Sequence, residues 1–183
     1  MEYDYYLCAL ECGINISESK LFESKLTPGY FGTKRFDRNN DKKIHIISVA
    51  ALLEINFILP SLDYQDLFKL TKILSNNNEE DIEQMYRRMC FNVFAHNQDD
   101  HAKNFSFIYN EKEEMYRLSP AYDLTYSSTY YGEHMTSVNG KGKNILDSDL
   151  INLGYKNGIK REKCILILNE IKNKVQKRLK QYL

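Results

Sequence analysis

The sequence predicts an α+β domain, mainly α-helical, and three observations carry that prediction. Residues 79–96 place apolar side chains at sustained helical spacing, two short β-rich runs flank a polar loop soon after, and further helix-periodic segments occur near both ends. With 183 residues, 43% of them hydrophobic and 27% charged, the chain is long enough to bury a real core as one globular domain. Lys plus Arg and Asp plus Glu are equal at 25 each, so no global charge points to nucleic acid. No apolar run approaches the ~20 residues of a membrane span, and the first residues lack a signal peptide's basic start and apolar core, so the cytoplasm is the expected compartment. Cys8, Cys12, Cys90 and Cys164 are scattered, each within an apparent helix, which reads as buried thiols and not as a disulfide framework. Cys8 and Cys12 are one helical turn apart, but no His or second Cys pair completes a zinc site.

In order, residues 2–12 read as a helix with Tyr5, Tyr6, Ala9 and Leu10 on its apolar face and Gly13 ending it. Residues 14–36 mix short apolar runs with a Pro28-Gly29 turn signal and read as strand, hairpin and strand, leading into Lys34-Arg35-Phe36-Asp37-Arg38. Asn39-Asn40-Asp41 continues as a charged turn. Residues 44–47 read as a short strand or extended run, and Ser48 caps a helix through Leu53. A Leu59-Pro60 break separates it from a helix over 64–74, and Asn76-Asn77-Asn78 forms a loop.

The run over 79–96 is the core helix: Ile82, Met85, Tyr86, Met89, Cys90, Val93 and Phe94 share one face. Acids lead it and Arg87 and Arg88 follow, in the sense that suits the macrodipole. After it, 105–109 and 115–118 flank the polar residues 110–114 as a hairpin. Residues 125–131 are rich in Ser, Thr and Tyr and read as a surface loop, with hydroxyls that are phosphorylation targets as the rival reading. Residues 134–138 read as a short strand, Gly140-Lys141-Gly142-Lys143 as a flexible basic turn, and Asp147 or Ser148 as the cap of a helix ending near Gly154 or Gly158. The last helix, 160–183, has Cys164, Leu168, Ile171, Val175, Leu179 and Tyr182 on one face. Its opposite face is basic, a solvated surface first, with nucleic-acid or partner contact as the rival reading.

The chemistry concentrates in Asp99-Asp100-His101-Ala102-Lys103-Asn104 and Ser119-Pro120-Ala121-Tyr122-Asp123-Leu124. Phosphoryl transfer needs a carboxylate to orient the attacking hydroxyl and metal ions to neutralise phosphate charge. Magnesium takes hard oxygens and keeps several waters, so one amide oxygen and one carboxylate suffice beside the nucleotide. In a kinase catalytic loop the asparagine follows the aspartate by five positions, and a metal-binding aspartate comes later. Asp99 and Asn104 have that offset, Asp100 does not, and Asp123 lies one hairpin further on. Taken singly, Asp99 and Asp123 would read as ordinary turn or capping residues. Lys103 reads as a phosphate-neutralising or solvated cation, and His101 as holding the loop backbone or meeting the ligand; His45, His96 and His134 have no assigned part. None of the eight glycines builds a GxGxxG or GxxxxGK phosphate loop.

Asp99-x-His101-Ala102-Lys103-Asn104-Phe105-Ser106, followed by Leu118-Ser119-Pro120-Ala121-Tyr122-Asp123-Leu124, resembles the HipA-type serine/threonine kinases, the toxin half of bacterial toxin–antitoxin pairs. Arg35-Phe36-Asp37-Arg38 and Asn139-Gly140-Lys141 fit that family in the same order. The resemblance implies a HipA-type, protein-kinase-like C-lobe over 1–183, with about 1–60 as a remnant of the N-lobe and hinge and short β-hairpins near the catalytic loop. It implies Asp99 as catalytic base, ATP and Mg2+ as cofactors, and Asn104 and Asp123 as the metal ligands. His101, Lys103, Asn104, Tyr122 and Asp123 would lie near the nucleotide, and Lys34, Arg35 and Phe36 would form the interlobe hinge at the adenine. Glu2 is the candidate for the kinase's ion-pairing glutamate, against a solvated first-turn acid.

The family's strand-borne lysine and phosphate-covering loop have no counterpart here, so the expectation is a chain lacking most of the N-terminal lobe. The expected partners are a HipB-like antitoxin, a separate N-lobe protein or both, with DNA reached only through the antitoxin, and no membrane. The implied phosphate acceptor is an aminoacyl-tRNA synthetase, the glutamyl one as candidate. Two other readings compete: a non-catalytic module that binds an antitoxin or N-lobe partner, and a metal-dependent phosphohydrolase directing the same acids at a water.

Overall fold

A computed structural model describes residues 1–27, 29–40, 42–56, 58, 61–129 and 131–183. Pro28 of the predicted turn, Asp41, and the Leu59-Pro60 break lie outside the described residues. Helix α1 (Glu2–Glu11) ends at Gly13, whose φ of 67° only glycine adopts without strain, and Ile14 N–H returns to the Ala9 carbonyl at 3.0 Å. Its core face is Tyr5, Cys8, Ala9 and Cys12, whereas Leu10 is 45% exposed. The predicted face was therefore rotated: the small thiols, not Leu10, meet the core. Two antiparallel hairpins follow, β1 (Ser19–Phe22) with β2 (Tyr30–Thr33) and β3 (Arg38–Asn39) with β4 (Lys42–Lys43).

Strand β5 (Ile46–Ser48) leads into the short helix α2 (Val49–Leu52), and the Ser48 hydroxyl caps it by accepting the Ala51 N–H, as predicted. Strand β6 (Leu62–Asp63) precedes α3 (Tyr64–Leu74), which has a complete capping box built by Asp63 and Asp66. Asn76 and Asn77 take left-handed backbone, and Asn78 caps α4 (Glu79–Phe94) through its side-chain oxygen. Strands β7 (Ser106–Asn110) and β8 (Met115–Leu118) form the predicted hairpin and join β5 in a three-stranded sheet of order β5-β7-β8. A two-residue strand, β9 (Thr136–Ser137), pairs in parallel with β6, a contact between residues more than 70 positions apart.

Helix α5 (Asp147–Lys156) has Leu146 as its N-cap, one residue before the predicted Asp147 and two before Ser148: the Leu146 N–H donates to Asp149, whose carboxylate also holds Lys141. The final helix, α6 (Arg161–Arg178), stops short of the predicted end, and Tyr182 beyond it donates to Asp4 on α1 at 2.5 Å. Helix α4 is the hub, packed by α3, α5, α6 and β8. Gly154 lets α5 approach closely, since a Cβ there would stand 2.6 Å from the Tyr86 ring and 2.7 Å from the Cys164 sulfur. Arg88, expected as a dipole-facing cation, is instead buried in this core. Much of the α6 basic face is neutralised internally: Lys163 pairs with Glu83, Lys172 with Asp147, Lys174 with Glu170 and Arg178 with Glu11. That favours the solvated-face reading. All four cysteines are free and buried. Among the described residues, no helix is long and apolar enough to cross a membrane.

Candidate active site

Helix α4 hands the chain directly to the loop that carries Asp99. Its C-terminus is fixed by Tyr5, whose hydroxyl donates to the Ala95 carbonyl at 2.7 Å, and His96 then turns the chain through left-handed backbone. Asp99 is 57% exposed, whereas Asn104 ends a single 3-10 turn, Ala102–Asn104. The Asn104 Nδ2 donates to the Asp99 carbonyl at 2.8 Å, and its backbone N–H donates to the His101 carbonyl at 2.9 Å. This ring closure is the physical content of the five-residue offset. The amide nitrogen is spent on the loop, and Oδ1 accepts no hydrogen bond among the described residues.

Asp100 points the other way. It is fully buried, its Oδ2 accepting from the Tyr64 hydroxyl at 2.9 Å and lying 3.1 Å from His134 Nδ1, and its Oδ1 accepting the Thr136 N–H at 3.1 Å. Thr136 also donates its hydroxyl to the Asp100 carbonyl. The network continues inward: Asn92 Nδ2 donates to the Tyr64 oxygen at 2.9 Å and Asn97 Nδ2 to Asn92 Oδ1 at 3.0 Å. Burial, with the Asp100 charge beside it, pushes the Tyr64 phenol well above its ordinary range. His134, given no part from sequence, is thus a buried member of the loop's support. Only the adjacent Asp99-Asp100 pair hinted at it, since neighbouring side chains in extended backbone face opposite ways.

Asp123 is carried by the segment after β8. The Tyr122 hydroxyl donates to the Lys103 carbonyl at 2.6 Å and lies 2.6 Å from Ser106 Oγ. Asn104 and Asp123 are each the next residue after a partner in the Tyr122–Lys103 bond, so one contact ties the two segments that carry the candidate metal ligands. Burial raises the Tyr122 pKa, keeping the phenol a donor. Asp123 has a φ of 57°, a strained value for a residue with a side chain, and its exposed carboxylate has no hydrogen-bond or ion-pair partner among the described residues. Beneath this segment the buried Arg88 donates to the Ser119 carbonyl, and burial lowers its pKa to about 10.

The hinge candidates divide. The Phe36 ring lies 5.5 Å from the Tyr122 ring, joining the hinge to the Asp123 segment. Arg35 instead makes a bidentate pair with Asp37 at 2.8 and 2.6 Å, and the Lys34 ammonium lies 3.6 Å from Glu18, so both side chains serve the hinge itself. Lys103 is exposed and enters the site through its carbonyl, and His101 Nε2 is 3.9 Å from Asp99 Oδ1. Asp123 borders a small cleft of about 140 Å³ together with Glu2, Phe31 and Thr33, so Glu2 does face the same space as the candidate metal ligand. Among the described residues no cluster of three or more His, Cys, Asp or Glu could hold a metal unaided. One amide oxygen and one carboxylate fit magnesium that keeps water and phosphate oxygens as its other ligands.

A lobe dominated by helices, carrying a ring-closed loop and a hairpin-borne acid, is the class of domain this fold and site define. The HipA-like C-terminal domain pattern matches residues 1–179, and the chain belongs to that family. It is 32% identical over 108 residues to Y4dM of Sinorhizobium fredii, a protein with a provisional kinase designation, matching 58% of this chain and 26% of that one. Its fold is similar to that of HipA of Shewanella oneidensis MR-1, solved with HipB and operator DNA, at a TM-score of 0.75 and 17% identity, over 98% of this chain and 48% of that HipA. The chain therefore spans about a quarter of the one relative and about half of the other.

Proposed function

We propose that this chain is the C-terminal, catalytic portion of a HipA-like serine/threonine protein kinase, the toxin component of a toxin–antitoxin pair. The observation that carries the reading is the closed Asp99–Asn104 ring tied to Asp123 through Tyr122 and Lys103. Asn104 Oδ1 and the Asp123 carboxylate would hold magnesium, which when bound neutralises charge on the phosphates of ATP. Asp99 is exposed enough to meet an acceptor and would accept the proton of a protein serine or threonine hydroxyl as its oxygen bonds to the γ-phosphorus and the bond from that phosphorus to the β,γ-bridging oxygen breaks, releasing ADP. Phe36 supplies an apolar wall for the adenine, beside the backbone groups of residues 34–36.

The partner in this reading is a HipB-like antitoxin, supported by the HipA–HipB–DNA complex of the structural relative, with DNA contacted through the antitoxin. An aminoacyl-tRNA synthetase is the acceptor class the family resemblance implies. A second reading, a module that needs an N-lobe partner, is favoured by one observation: Leu21, Phe22 and Tyr30 on the first hairpin are 46%, 56% and 58% exposed beside the hinge. The test is transfer of labelled γ-phosphate from MgATP to protein, by the chain alone and with an N-lobe fragment. Transfer by the parent, lost in Asp99→Ala, supports the kinase; equal transfer by both forms would refute it.

A further inference from the structure

We propose that Gln98 and Ser127 are positioning residues that fasten the residues following Asp123 onto the Asp99 loop by neutral hydrogen bonds, so that the site is assembled without a phosphate there. This rests on the kinase reading. Many kinases order the corresponding segment by phosphorylation, the new charge pairing with arginine, and carry arginine directly before the catalytic aspartate. Here that position is Gln98, and all four of its hydrogen-bonding groups are committed. Its Oε1 accepts the Thr129 N–H at 3.0 Å, its Nε2 donates to the Gly132 carbonyl at 3.2 Å, its N–H donates to the Ser127 carbonyl at 3.2 Å, and its carbonyl accepts the Met135 N–H at 3.0 Å.

Ser127 closes the other half. Its Oγ accepts the N–H of Asp99 at 2.9 Å and donates to the buried Asn97 Oδ1 at 3.1 Å, while its own N–H donates to the His96 carbonyl at 3.2 Å. Through Asn97 it connects to Asn92, Tyr64 and the buried Asp100. Thr129 is likewise engaged, its hydroxyl donating to the Glu133 carbonyl and accepting the Glu133 N–H. The Ser127 and Thr129 hydroxyls of this Ser/Thr-rich stretch are structural, and a phosphate on Ser127 would displace the bond that orients Asp99.

The experiment is amide hydrogen exchange by NMR on chain verified by mass to be unphosphorylated, paired with transfer kinetics, for the parent and for Ser127→Ala, Ser127→Thr and Gln98→Ala. The expected result is a protected Asp99 amide in the parent, exchanging about tenfold faster in Ser127→Ala, with the Met89 and Cys90 amides of α4 unchanged. Ser127→Thr restores protection, and Gln98→Ala releases the Thr129 amide. In the transfer assay Ser127→Ala lowers kcat about tenfold and leaves the KM for ATP unchanged. Equal protection in Ser127→Ala, exchange rising in step through α4, an unchanged kcat, or a parent needing prior phosphorylation would each overturn the proposal. A parent that transfers no phosphate counts against the kinase reading alone, and the exchange comparison still decides the clamp.

Discussion

In one region, Asp99 and Asn104 stand on a loop fastened to α3, α4 and β9, and the fastening runs through fully buried Asp100, Tyr64 and Thr136. In the other, residues 34–36 run between two isolated two-stranded hairpins, the first of which leaves Leu21, Phe22 and Tyr30 open to solvent. Two-stranded hairpins are marginal without a third layer, whereas satisfied buried polar networks fix a single geometry. The Asp99 loop is thus preorganised by its own domain, whereas the proposed hinge lacks a covering layer among the described residues. The Phe36–Tyr122 ring contact is a seam between them.

The sharpest way to break this contrast is at the reacting groups. Asp99→Ala should reduce transfer by about 10²–10⁴-fold with nucleotide binding retained, read by steady-state kinetics and titration. Next comes the support. Asp100→Ala leaves the Tyr64 hydroxyl, the Thr136 N–H and His134 without their shared acceptor and should cost about 3 kcal/mol, read as the urea midpoint. Tyr122→Phe keeps the ring against Phe36 but removes the bond to Lys103, and should cost about 1 kcal/mol while loosening magnesium-dependent binding.

Changes on the hinge side should be smaller. Phe22→Ala on the open hairpin should shift global stability by under about 0.5 kcal/mol, because the side chain is more than half exposed. The hinge has its own pH signature. The Arg35 guanidinium holds the Asp37 carboxyl below its ordinary range, so the pair's contribution is present above the unfolded carboxylate pKa of about 3.9 and is lost as pH falls through the lower folded value. Titrating the Asp37 carboxyl by NMR should show that depressed midpoint, and Arg35→Ala should return it toward the ordinary one.

What the sequence made legible was local. Helix α3, the β7–β8 hairpin, the Ser48 cap and the core face of α4 follow from periodicity, turn residues and capping, all written within a few positions. The Asp99–Asn104 offset was legible for the same reason, since one loop closes on itself. Asp100 and His134 were not, because their significance lies in Tyr64 and in each other, 36 and 34 residues apart. Arg88 was legible only as a cation suiting the helix dipole, because helical spacing does not reveal the Ser119 carbonyl that it meets in the core. The short strand read over 134–138 holds β9, but its parallel pairing with β6 was not legible, because the partners lie 74 residues apart and each strand spans two residues.

The central claim is that Asn104 and Asp123 together hold a magnesium-bound nucleotide. Calorimetric titration with ATP, with magnesium and with EDTA in its place, tests it most directly, using the parent, Asp123→Ala and Asp99→Ala, each alone and with an N-lobe fragment. The account predicts saturable binding that needs magnesium, is lost in Asp123→Ala and survives in Asp99→Ala. Binding that is indifferent to magnesium or unchanged in Asp123→Ala, or no binding by the parent even with the N-lobe fragment, would contradict it.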